Sequence, residues 1–515
     1  MKRQALLPKG SLGRLIKQSA EAWERQDYQA AIDFLERAQS HDPRNPSILL
    51  DLGRAYGARY DYANAERCLE LAIRAAPRQT GVIIDAGHRC QEFGKDQMAG
   101  RYFERAAESS DATADVFVTL AELHERHNQL DKATQLADRA LGLDARHPSA
   151  RLVRARLDRL AGKWSEAGER VRALLDGNEG DPWLRARAWY EMGAIQDRLG
   201  RYDEAMAAFL EAKALLRPAS ASPLKILQSN QARVREMEGT ISAAVLERWH
   251  HAGAVLNPTR PFAVLLGHPR SGTTLLEQIL DSHPDIVTAE ETHVLFHEAC
   301  LPLRRKFPPN APVLEVLESA TESLIRQSRE NYFRSTELFT GKPLGHKLLI
   351  DKNPSLNSLI PSISRIFPEV KYLVAIRDPR DVCLSCFMQP LVLNPGSSAY
   401  LSLAGTVTQY VSSMGFWRTI SPRLRNSWTE LRYEDLVADL EISSRRALAF
   451  LGVEWNDEVL RYHEHARNKL VLSPSYAEVT KPVFKSAVGR WRNYRTYLEP
   501  YLKELEPFIK SFGYE

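Results

Sequence analysis

A glycine-containing loop directly after an apolar run is the first segment whose residue types could bind a charged group. Pro261–Leu266 is a continuous apolar run typical of a buried parallel strand, and Gly267-His-Pro-Arg-Ser-Gly-Thr-Thr274 follows it, before residues with helical spacing. A loop between a strand and a helix points backbone N–H groups and the positive end of the helix dipole at one spot. This segment therefore predicts a site for a phosphate or a sulfate.

The side chains of this loop differ from those of the Walker A loop that binds nucleoside triphosphates. The Walker pattern would place lysine at position 273, where this sequence has Thr273. Arg270 lies inside the loop instead, and its planar guanidinium suits a tetrahedral anion, with the hydroxyls of Ser271, Thr273 and Thr274 beside it. These differences disfavour a nucleoside triphosphatase.

A second apolar run carries another arginine at its end. Lys371–Ile376 is followed by Arg377-Asp-Pro-Arg-Asp381 and by a helical stretch that contains Ser385. An arginine at a strand end and a serine two helical turns further on can converge on one phosphate. The alternative for Arg377 is a surface ion pair with Asp378 or Asp381.

Pro269–Leu275 resembles the 5′-phosphosulfate-binding loop of the sulfotransferases that use 3′-phosphoadenosine 5′-phosphosulfate (PAPS), and the tyrosylprotein sulfotransferase branch in particular. The resemblance covers about residues 260–495. It implies PAPS as the donor and PAP as the product. No metal is expected, because histidine, cysteine and carboxylate residues show no tight ligand spacing. The resemblance also implies that Arg270, Ser271, Gly272, Thr273 and Thr274 bind the donor, with Arg377 and Ser385 on its 3′-phosphate. Gln389 stands where that branch often has a further basic residue.

The same resemblance suggests which residues catalyse the transfer. Glu290-Glu-Thr-His293 matches the catalytic segment of the family and makes Glu291 the general base, whereas adjacent carboxylates usually form only a solvated turn. Lys352, in Asp351–Pro354, matches the lysine that stabilises the leaving phosphate oxygen, and Arg270 would act on the sulfuryl oxygens. His293 stands where tyrosylprotein enzymes tend to have arginine, so that an acceptor contact, an alternative base and a structural role stay open.

Three further residues complete the donor site that the resemblance implies. Tyr433, in Leu431–Leu436, matches the tyrosine that contacts adenine, and its alternative is a place in the core. Ser475 is expected at the sulfonate end and Lys481 at the nucleotide. Both precede Gly489-Arg-Trp-Arg-Asn-Tyr494, which is similar to the loop that closes over the donor.

The N-terminal half repeats every 34 residues. Small residues recur at Ala31, Ala65, Ala99, Ala133 and Ala167, and seven residues after each come Ala38, Ala72, Ala106, Ala140 and Leu174. A sixth unit, shifted by four residues, keeps the offsets with Gly193, Tyr202, Ala205 and Ala212. Small residues let paired helices approach closely, and the pattern resembles about six tetratricopeptide repeats. Such a solenoid usually binds a peptide or a protein in its groove, and the alternative is a purely structural or dimer-forming scaffold.

These patterns predict a helical solenoid followed by a P-loop-like, three-layer α/β sulfotransferase domain with a parallel sheet. The expected limits are 12–216 for the repeats, 217–258 for a helical connector and 259–515 for the transferase domain.

The overall composition excludes several other classes of protein. The 515 residues are 44% hydrophobic and 26% charged, and the net charge of +4 gives no argument for nucleic acid. No stretch reaches membrane-spanning length without charges, and Met1–Lys17 lacks the apolar core of a signal peptide. Five scattered cysteines fit a reducing cytoplasm, and Cys383 and Cys386 are expected to be small helical residues.

The sequence thus predicts a cytoplasmic sulfotransferase that transfers a sulfuryl group from PAPS to an acceptor hydroxyl, with the repeats binding the acceptor or a partner protein. A tyrosine, a sugar hydroxyl and a lipid-linked hydroxyl stay open as acceptors, as does the oligomeric state. The rivals are an inactive nucleotide-binding scaffold and a nucleotide kinase, which shares the loop architecture.

Overall fold

The computed structural model describes residues 11–177, 180–256, 259–390, 392–467, 479–481 and 487–515. The chain divides into two compact units, one that ends at Ala161 and one that begins at Gly162. The limits 12–216, 217–258 and 259–515 follow from sequence patterns and stay a prediction.

The repeat region is helical throughout its described part. Its helices are α1 Ser11–Glu24, α2 Tyr28–His41, α3 Pro46–Ala58, α4 Tyr62–Ala75, α5 Thr80–Glu92, α6 Asp96–Ala107, α7 Ala114–Arg126, α8 Leu130–Leu143, α9 Pro148–Leu160, α10 Trp164–Asp176, α11 Pro182–Arg198 and α12 Tyr202–Leu216. Side chains that satisfy free N–H groups mark several starts: Asp27 and Asp61 cap α2 and α4, and Asn45 and Asp181 each cap a helix that opens with proline.

The small residues of the 34-residue pattern are buried. The alanines of the first series and their counterparts seven residues on are at most 1% exposed: Ala31, Ala38, Ala65, Ala72, Ala99, Ala106, Ala133, Ala140, Ala167, Leu174, Ala205 and Ala212. The pattern therefore marks the surface on which neighbouring helices meet.

The turn inside each repeat also recurs with the same backbone conformation. Six residues have a left-handed φ between 55° and 80°, spaced by 34 residues and then by 38 at the last step: Gln26, Tyr60, Gly94, Asn128, Gly162 and Gly200. This conformation ends a helix and redirects the chain. The repeat is thus defined by its backbone turn, since glycine occupies only half of these positions.

Gly87 and Gly100 give a matched test of close helix packing in the first unit. A Cβ at Gly87 would lie 2.8 Å from the buried ring of Phe103, whereas one at Gly100 would meet no atom within 4 Å. We expect Gly87→Ala to lower the free energy of unfolding by about 1–3 kcal/mol because the ring must move. Gly100→Ala should raise it by about 0.5–1 kcal/mol, since alanine is the better helix former. Urea titrations of both variants check this, and equal effects would contradict it.

The second unit contains a five-stranded, entirely parallel sheet with the strand order β2-β3-β1-β4-β5. Its strands are β1 Phe262–Gly267, β2 Ile286–Glu290, β3 Leu348–Lys352, β4 Lys371–Ile376 and β5 Trp428–Arg432. The first four are almost completely buried, as is usual for strands of a parallel sheet that is covered on both faces. The structure confirms the predicted order of helical repeats followed by an α/β domain with a parallel sheet.

Helices connect and cover these strands. They are α13 Ala221–Thr240, α14 Ala243–Gly253, α15 Thr273–Asp281, α16 Leu301–Arg304, α17 Val313–Glu318, α18 Glu322–Thr340, α19 Ile360–Ile366, α20 Pro379–Met388, α21 Leu403–Ile420, α22 Tyr433–Ala438, α23 Leu440–Leu451, α24 Tyr462–Arg467, α25 Arg495–Leu498 and α26 Leu502–Ser511. A π-helix, Leu295–Cys300, follows β2, and a 3₁₀ helix, Arg490–Tyr494, precedes α25.

The sixth repeat shares a hydrophobic core with the transferase domain. Phe209 of α12 belongs to the same buried cluster as Leu384 and Phe387 of α20 and as Trp491 and Tyr494 near the C-terminus. Helices α11 and α12 are therefore packed as part of the second unit.

Lys213 lies inside this shared core. Its side chain is 2% exposed, and its ammonium lies 5.0 Å from the ring centroid of Tyr190 and 4.9 Å from that of Phe387. Burial lowers the pKa of Lys213 to about 7, and the nearby Cys386 thiol opposes the shift. The two rings compensate only part of the hydration that the ammonium loses.

This lysine should make stability depend on pH. Its pKa is lower in the folded chain than in the unfolded chain, so between pH 7 and pH 10 the unfolded chain binds more protons and stability rises with pH. Relative to Lys213→Met, the wild type should gain up to about 1.4 kcal/mol per pH unit in this window. Urea unfolding at pH 7 and pH 9 measures the difference. Lys225→Met, at an exposed position of α13, serves as the control, and a pH-independent difference for Lys213→Met would refute the assignment.

Candidate active site

The predicted site residues follow the carboxyl ends of neighbouring parallel strands. Glu290 ends β2, Lys352 ends β3, the glycine loop follows β1, Arg377 follows β4, and Tyr433 follows β5. Because the strands are parallel, all five positions lie at the carboxyl ends of the strands, where open α/β sheets bind ligands.

The loop after β1 needs glycine at two points. At Gly267, with φ 154°, a Cβ would lie 2.6 Å from the carbonyl oxygen of Ala375 on β4. At Gly272, with φ 91°, it would lie 2.6 Å from the ring of Tyr433. Arg270 between them also has a left-handed backbone, with φ 71°, which is uncommon for a residue with a side chain. The loop is thus held in a strained conformation between β4 and Tyr433.

Most of the polar groups of this loop are buried. Ser271, Thr273 and Thr274 are at most 6% exposed, and the last two form the first turn of α15. Burial lowers the pKa of His268 to about 4, so that this ring is neutral at pH 7. The positive charge of the loop therefore comes from Arg270.

Arg270, Ser385 and Arg377 form one cluster. Nε of Arg270 donates to Oγ of Ser385 at 3.1 Å, and Nη1 of Arg377 donates to the carbonyl oxygen of Arg270 at 3.1 Å. The Arg377 guanidinium also lies 4.9 Å from the ring centroid of Tyr433. The two strand ends are thus in direct contact through the side chains that the sequence singled out.

Arg377 is paired with Asp381, one of the two expected partners, but this ion pair is buried and does not lie on the surface. The side chain of Arg377 is buried, with Asp381 at 3.9 Å, while Asp378 pairs with Arg380 instead. Among the described residues, Nε of Arg377 has no hydrogen-bond acceptor. Two neighbouring guanidinium groups, one with an unsatisfied N–H, fit an anionic ligand such as a phosphate or a sulfate.

Lys352 forms the second cluster, with two carboxylates. Its Nζ lies 2.9 Å from Oε1 of Glu291 and 3.3 Å from Oε1 of Glu290, and the lysine side chain is completely buried. Burial favours the neutral amine, but Glu290, Glu291 and Glu277 outweigh it, and the pKa of Lys352 is raised. Lys352 is therefore a protonated donor at neutral pH.

The two glutamates differ in what they can reach. The side chain of Glu290 is 5% exposed and that of Glu291 is 33% exposed. Glu291 also has a left-handed φ of 46°, while its backbone N–H donates to the carbonyl oxygen of Lys352 at 2.7 Å. This strained turn directs successive carboxylates differently, so that only Glu291 is accessible to a hydroxyl group from outside.

The sequence did not predict a buried hydrogen bond between Tyr332 and Asp351, the residue before Lys352. Oδ2 of Asp351 accepts from the hydroxyl of Tyr332 at 2.9 Å, and both side chains are fully buried. Burial raises the pKa of Asp351 to about 7, against the effects of Tyr332 and Lys352. The pair fixes the end of β3 from the side opposite the glutamates.

The segment Ala487–Tyr494, here named the closing segment, also contacts the site. Nη2 of Arg377 donates to the carbonyl oxygen of Ala487 at 2.6 Å, and the backbone N–H groups of Gly489 and Trp491 donate to Asp381 at 2.7 and 2.8 Å. From the sequence, Asp381 was expected only as an alternative ion-pair partner of Arg377. Its position four residues after Arg377, on the first turn of a helix, was the available signal.

The hydrogen bonds and ion pairs named above for the two clusters involve neither Lys481 nor His293. Lys481 is exposed, and its carbonyl oxygen accepts from the hydroxyl of Tyr462 at 3.0 Å. Ser475 lies outside the described residues. His293 is exposed, with its ring 5.7 Å from that of His297 on the π-helix, and the contacts leave its role open.

Cys383 and Cys386 are buried on α20 with free thiols. Within the described ranges, no group of three or more histidine, cysteine, aspartate or glutamate side chains is arranged to hold a metal ion. In the same part of the chain, no helix combines the length and apolar character that crossing a bilayer requires.

The Lys352 cluster can be tested by stability alone. Lys352→Met leaves the buried carboxylate of Glu290 without its cation, and we expect the free energy of unfolding to fall by about 3–5 kcal/mol. The double variant with Glu290→Gln should recover part of this loss because it removes the uncompensated charge. Thermal and urea unfolding of the two single variants and the double variant measure the effect. A loss in the double variant equal to the sum of the two single losses would contradict the pairing.

Comparisons with known proteins agree with this geometry. The Sulfotransferase family model matches residues 261–457, and tetratricopeptide repeat models match residues 22–81 and 186–215. Protein-tyrosine sulfotransferase A of Caenorhabditis elegans is 26% identical over 276 residues, which cover 50% of this chain and 68% of that protein. An Aquifex aeolicus protein described as uncharacterized is 25% identical over 350 residues, and the match covers 66% of this chain but only 44% of the relative.

Among solved structures, the sulfotransferase domain from the Synechococcus PCC 7002 olefin synthase aligns with a TM-score of 0.33 and 23% identity, covering 46% of this chain and 89% of that chain. The prediction of an enzyme domain preceded by repeats is confirmed by the family matches. Residues 261–457 thus form a domain that matches the Sulfotransferase family, and regions that match tetratricopeptide repeats lie on its N-terminal side.

Proposed function

We propose that this protein transfers a sulfuryl group from PAPS to an acceptor hydroxyl, with a protein tyrosine as the first acceptor to test. The proposal rests on the contact between Arg270, Ser385 and Arg377. This cluster and the pair of Lys352 and Glu291 both lie at the carboxyl ends of the parallel strands. The tyrosine acceptor is supported by the names of several relatives, which are protein-tyrosine sulfotransferases.

Donor binding follows from the positive cluster. Arg377 and Ser385 would hold the 3′-phosphate. The backbone N–H groups of the loop, with Arg270, Ser271, Gly272, Thr273 and Thr274, would hold the 5′-phosphosulfate. Tyr433 packs against Gly272 and lies beneath Arg377, which suits a ring that also contacts adenine. Lys481 and Ser475 keep their proposed places at the nucleotide and the sulfonate.

The chemistry is divided between Glu291 and Lys352. Glu291 accepts the proton of the acceptor hydroxyl as the acceptor oxygen bonds to sulfur. The bond from sulfur to the bridging phosphate oxygen breaks, and Lys352 stabilises the charge that develops on this oxygen. The raised pKa of Lys352 keeps the lysine protonated for this role. Arg270 neutralises charge on the sulfuryl oxygens, and PAP leaves as the product.

We further propose that the repeats bind the acceptor protein or a partner protein. Stacked helical pairs of this type form an extended concave surface, which suits a peptide better than a small molecule. The matches to repeat models cover residues near both ends of the repeat region.

The activity is tested with the purified chain and radiolabelled PAPS, offered tyrosine-containing peptides, oligosaccharides and a cell extract. Label should enter a hydroxyl of at least one acceptor class. PAP binding without transfer to any acceptor would favour the inactive scaffold, and consumption of ATP without sulfate donor would favour the kinase.

Glu291 and Glu290 provide a matched pair for the catalytic assignment. Both carboxylates pair with Lys352, but only Glu291 is accessible. Glu291→Gln should lower kcat by about 10²–10⁴-fold, the usual contribution of a general base, while Glu290→Gln should lower it far less. The measurement is kcat at saturating donor and acceptor. Equal losses in the two variants would mean that both residues act only by positioning Lys352.

A further inference from the structure

Asp197, near the end of α11 in the sixth repeat, holds two residues of the closing segment. Its Oδ1 accepts from the hydroxyl of Tyr494 at 2.6 Å, and its Oδ2 pairs with Nη2 of Arg490 at 2.5 Å. These two residues begin and end the 3₁₀ helix Arg490–Tyr494. One carboxylate of a repeat helix therefore fixes both ends of this turn.

The Asp197 contacts lie in a largely buried environment. The side chain of Asp197 is only 16% exposed, and Tyr494 is completely buried, with its ring 5.4 Å from that of Tyr202. A buried hydroxyl needs an acceptor, and a carboxylate that is itself partly desolvated is a strong one.

The closing segment is also held by residues that follow β4, namely Arg377 and the first turn of α20. Asp381 accepts the N–H groups of Gly489 and Trp491, and Arg377 donates to the carbonyl oxygen of Ala487. The Arg380 guanidinium lies 4.0 Å from the ring centroid of Trp491. The closing segment thus connects the repeat helix to the arginine expected to hold the 3′-phosphate.

The carbonyl oxygen of Ala487 orients the guanidinium of Arg377 by accepting a hydrogen bond from its Nη2. Nη1 donates to the carbonyl oxygen of Arg270, so the guanidinium has its direction fixed by two backbone groups from different parts of the chain. Loss of the Asp197 contacts would release one of these two supports.

We propose that Asp197 is a positioning residue for donor binding: by anchoring Arg490 and Tyr494, it holds the closing segment against Arg377 and keeps the guanidinium aimed at the donor's 3′-phosphate. This inference rests on the proposed function. It makes the sixth repeat a structural part of the donor site, beyond any part it has in binding a protein.

The test measures PAP binding by calorimetry and steady-state kinetics on the full chain. Asp197→Asn keeps the shape of the side chain but removes its charge. We expect PAP to bind about tenfold more weakly and the KM for PAPS to rise to the same extent, the change expected for one lost charge-assisted contact. The kcat at saturating PAPS and the KM for the acceptor should stay within about twofold, because neither Glu291 nor Lys352 is touched.

Asp203→Asn is the matched control. Asp203 lies on α12 of the same repeat and accepts the hydroxyl of Tyr497 at 2.9 Å, but Tyr497 follows the closing segment and the pair is exposed. PAP binding should be unchanged in this variant. Tyr494→Phe and Arg490→Met, which remove single contacts, cover the case in which Asp197→Asn fails to fold, and each should weaken PAP binding by a smaller factor.

The outcomes separate this inference from the proposed function. A wild-type protein that neither binds PAP nor transfers sulfate would remove the proposed function. A wild type that binds PAP, together with Asp197→Asn or both single-contact variants binding it equally well, would overturn the role of Asp197. A fall in kcat at unchanged donor affinity would overturn it too.

Discussion

The convergence of two guanidinium groups is the constraint on which the rest of the site depends. Arg270 and Arg377 carry like charges and repel each other in a partly buried place, yet Arg377 is bonded to the carbonyl oxygen of Arg270. This contact requires the left-handed backbone of Arg270, which turns that carbonyl toward β4. With the carboxylate of Asp381 at 3.9 Å as a weak counter-charge, the arrangement is best satisfied by an anion that bridges both arginines.

The strand order separates recognition from chemistry. Strand β1, with the glycine loop, lies between β3, which carries Lys352, and β4, which leads to Arg377. A ligand bound at the loop, which contains Arg270, meets Arg377 and Tyr433 in one direction and Lys352 and Glu291 in the other. A long donor with charged groups at two points can therefore be held on one side of the loop while its reacting group lies on the other.

Local patterns in the sequence predicted most of the fold and the Arg270 and Arg377 cluster, whereas Lys352 and Glu291 were predicted from the resemblance to the family. The glycine loop, the two arginines at strand ends and the 34-residue period each depend on short stretches of chain, and the structure brings Arg270, Ser385 and Arg377 together as expected. The resemblance to the family singled out Glu291, but the different burial of Glu290 and Glu291 could not be predicted from the residues, because it depends on one left-handed backbone angle. Tyr494 lies in the Gly489–Tyr494 segment that the sequence singled out, but no local pattern pairs it with Asp197, which is 297 residues away.

The sixth repeat also illustrates how a solenoid can end. A terminal repeat normally needs a polar outer face, because no further repeat covers it. Here Phe209 on α12 is covered by Phe387 on α20 and by Trp491 of the closing segment, so that the transferase domain supplies the cap. Helix α20 is also the helix that carries Ser385. The surface that completes the last repeat therefore belongs to the helix that is proposed to bind the donor, and a change in the packing of α12 acts on a helix that also carries a residue of the candidate active site.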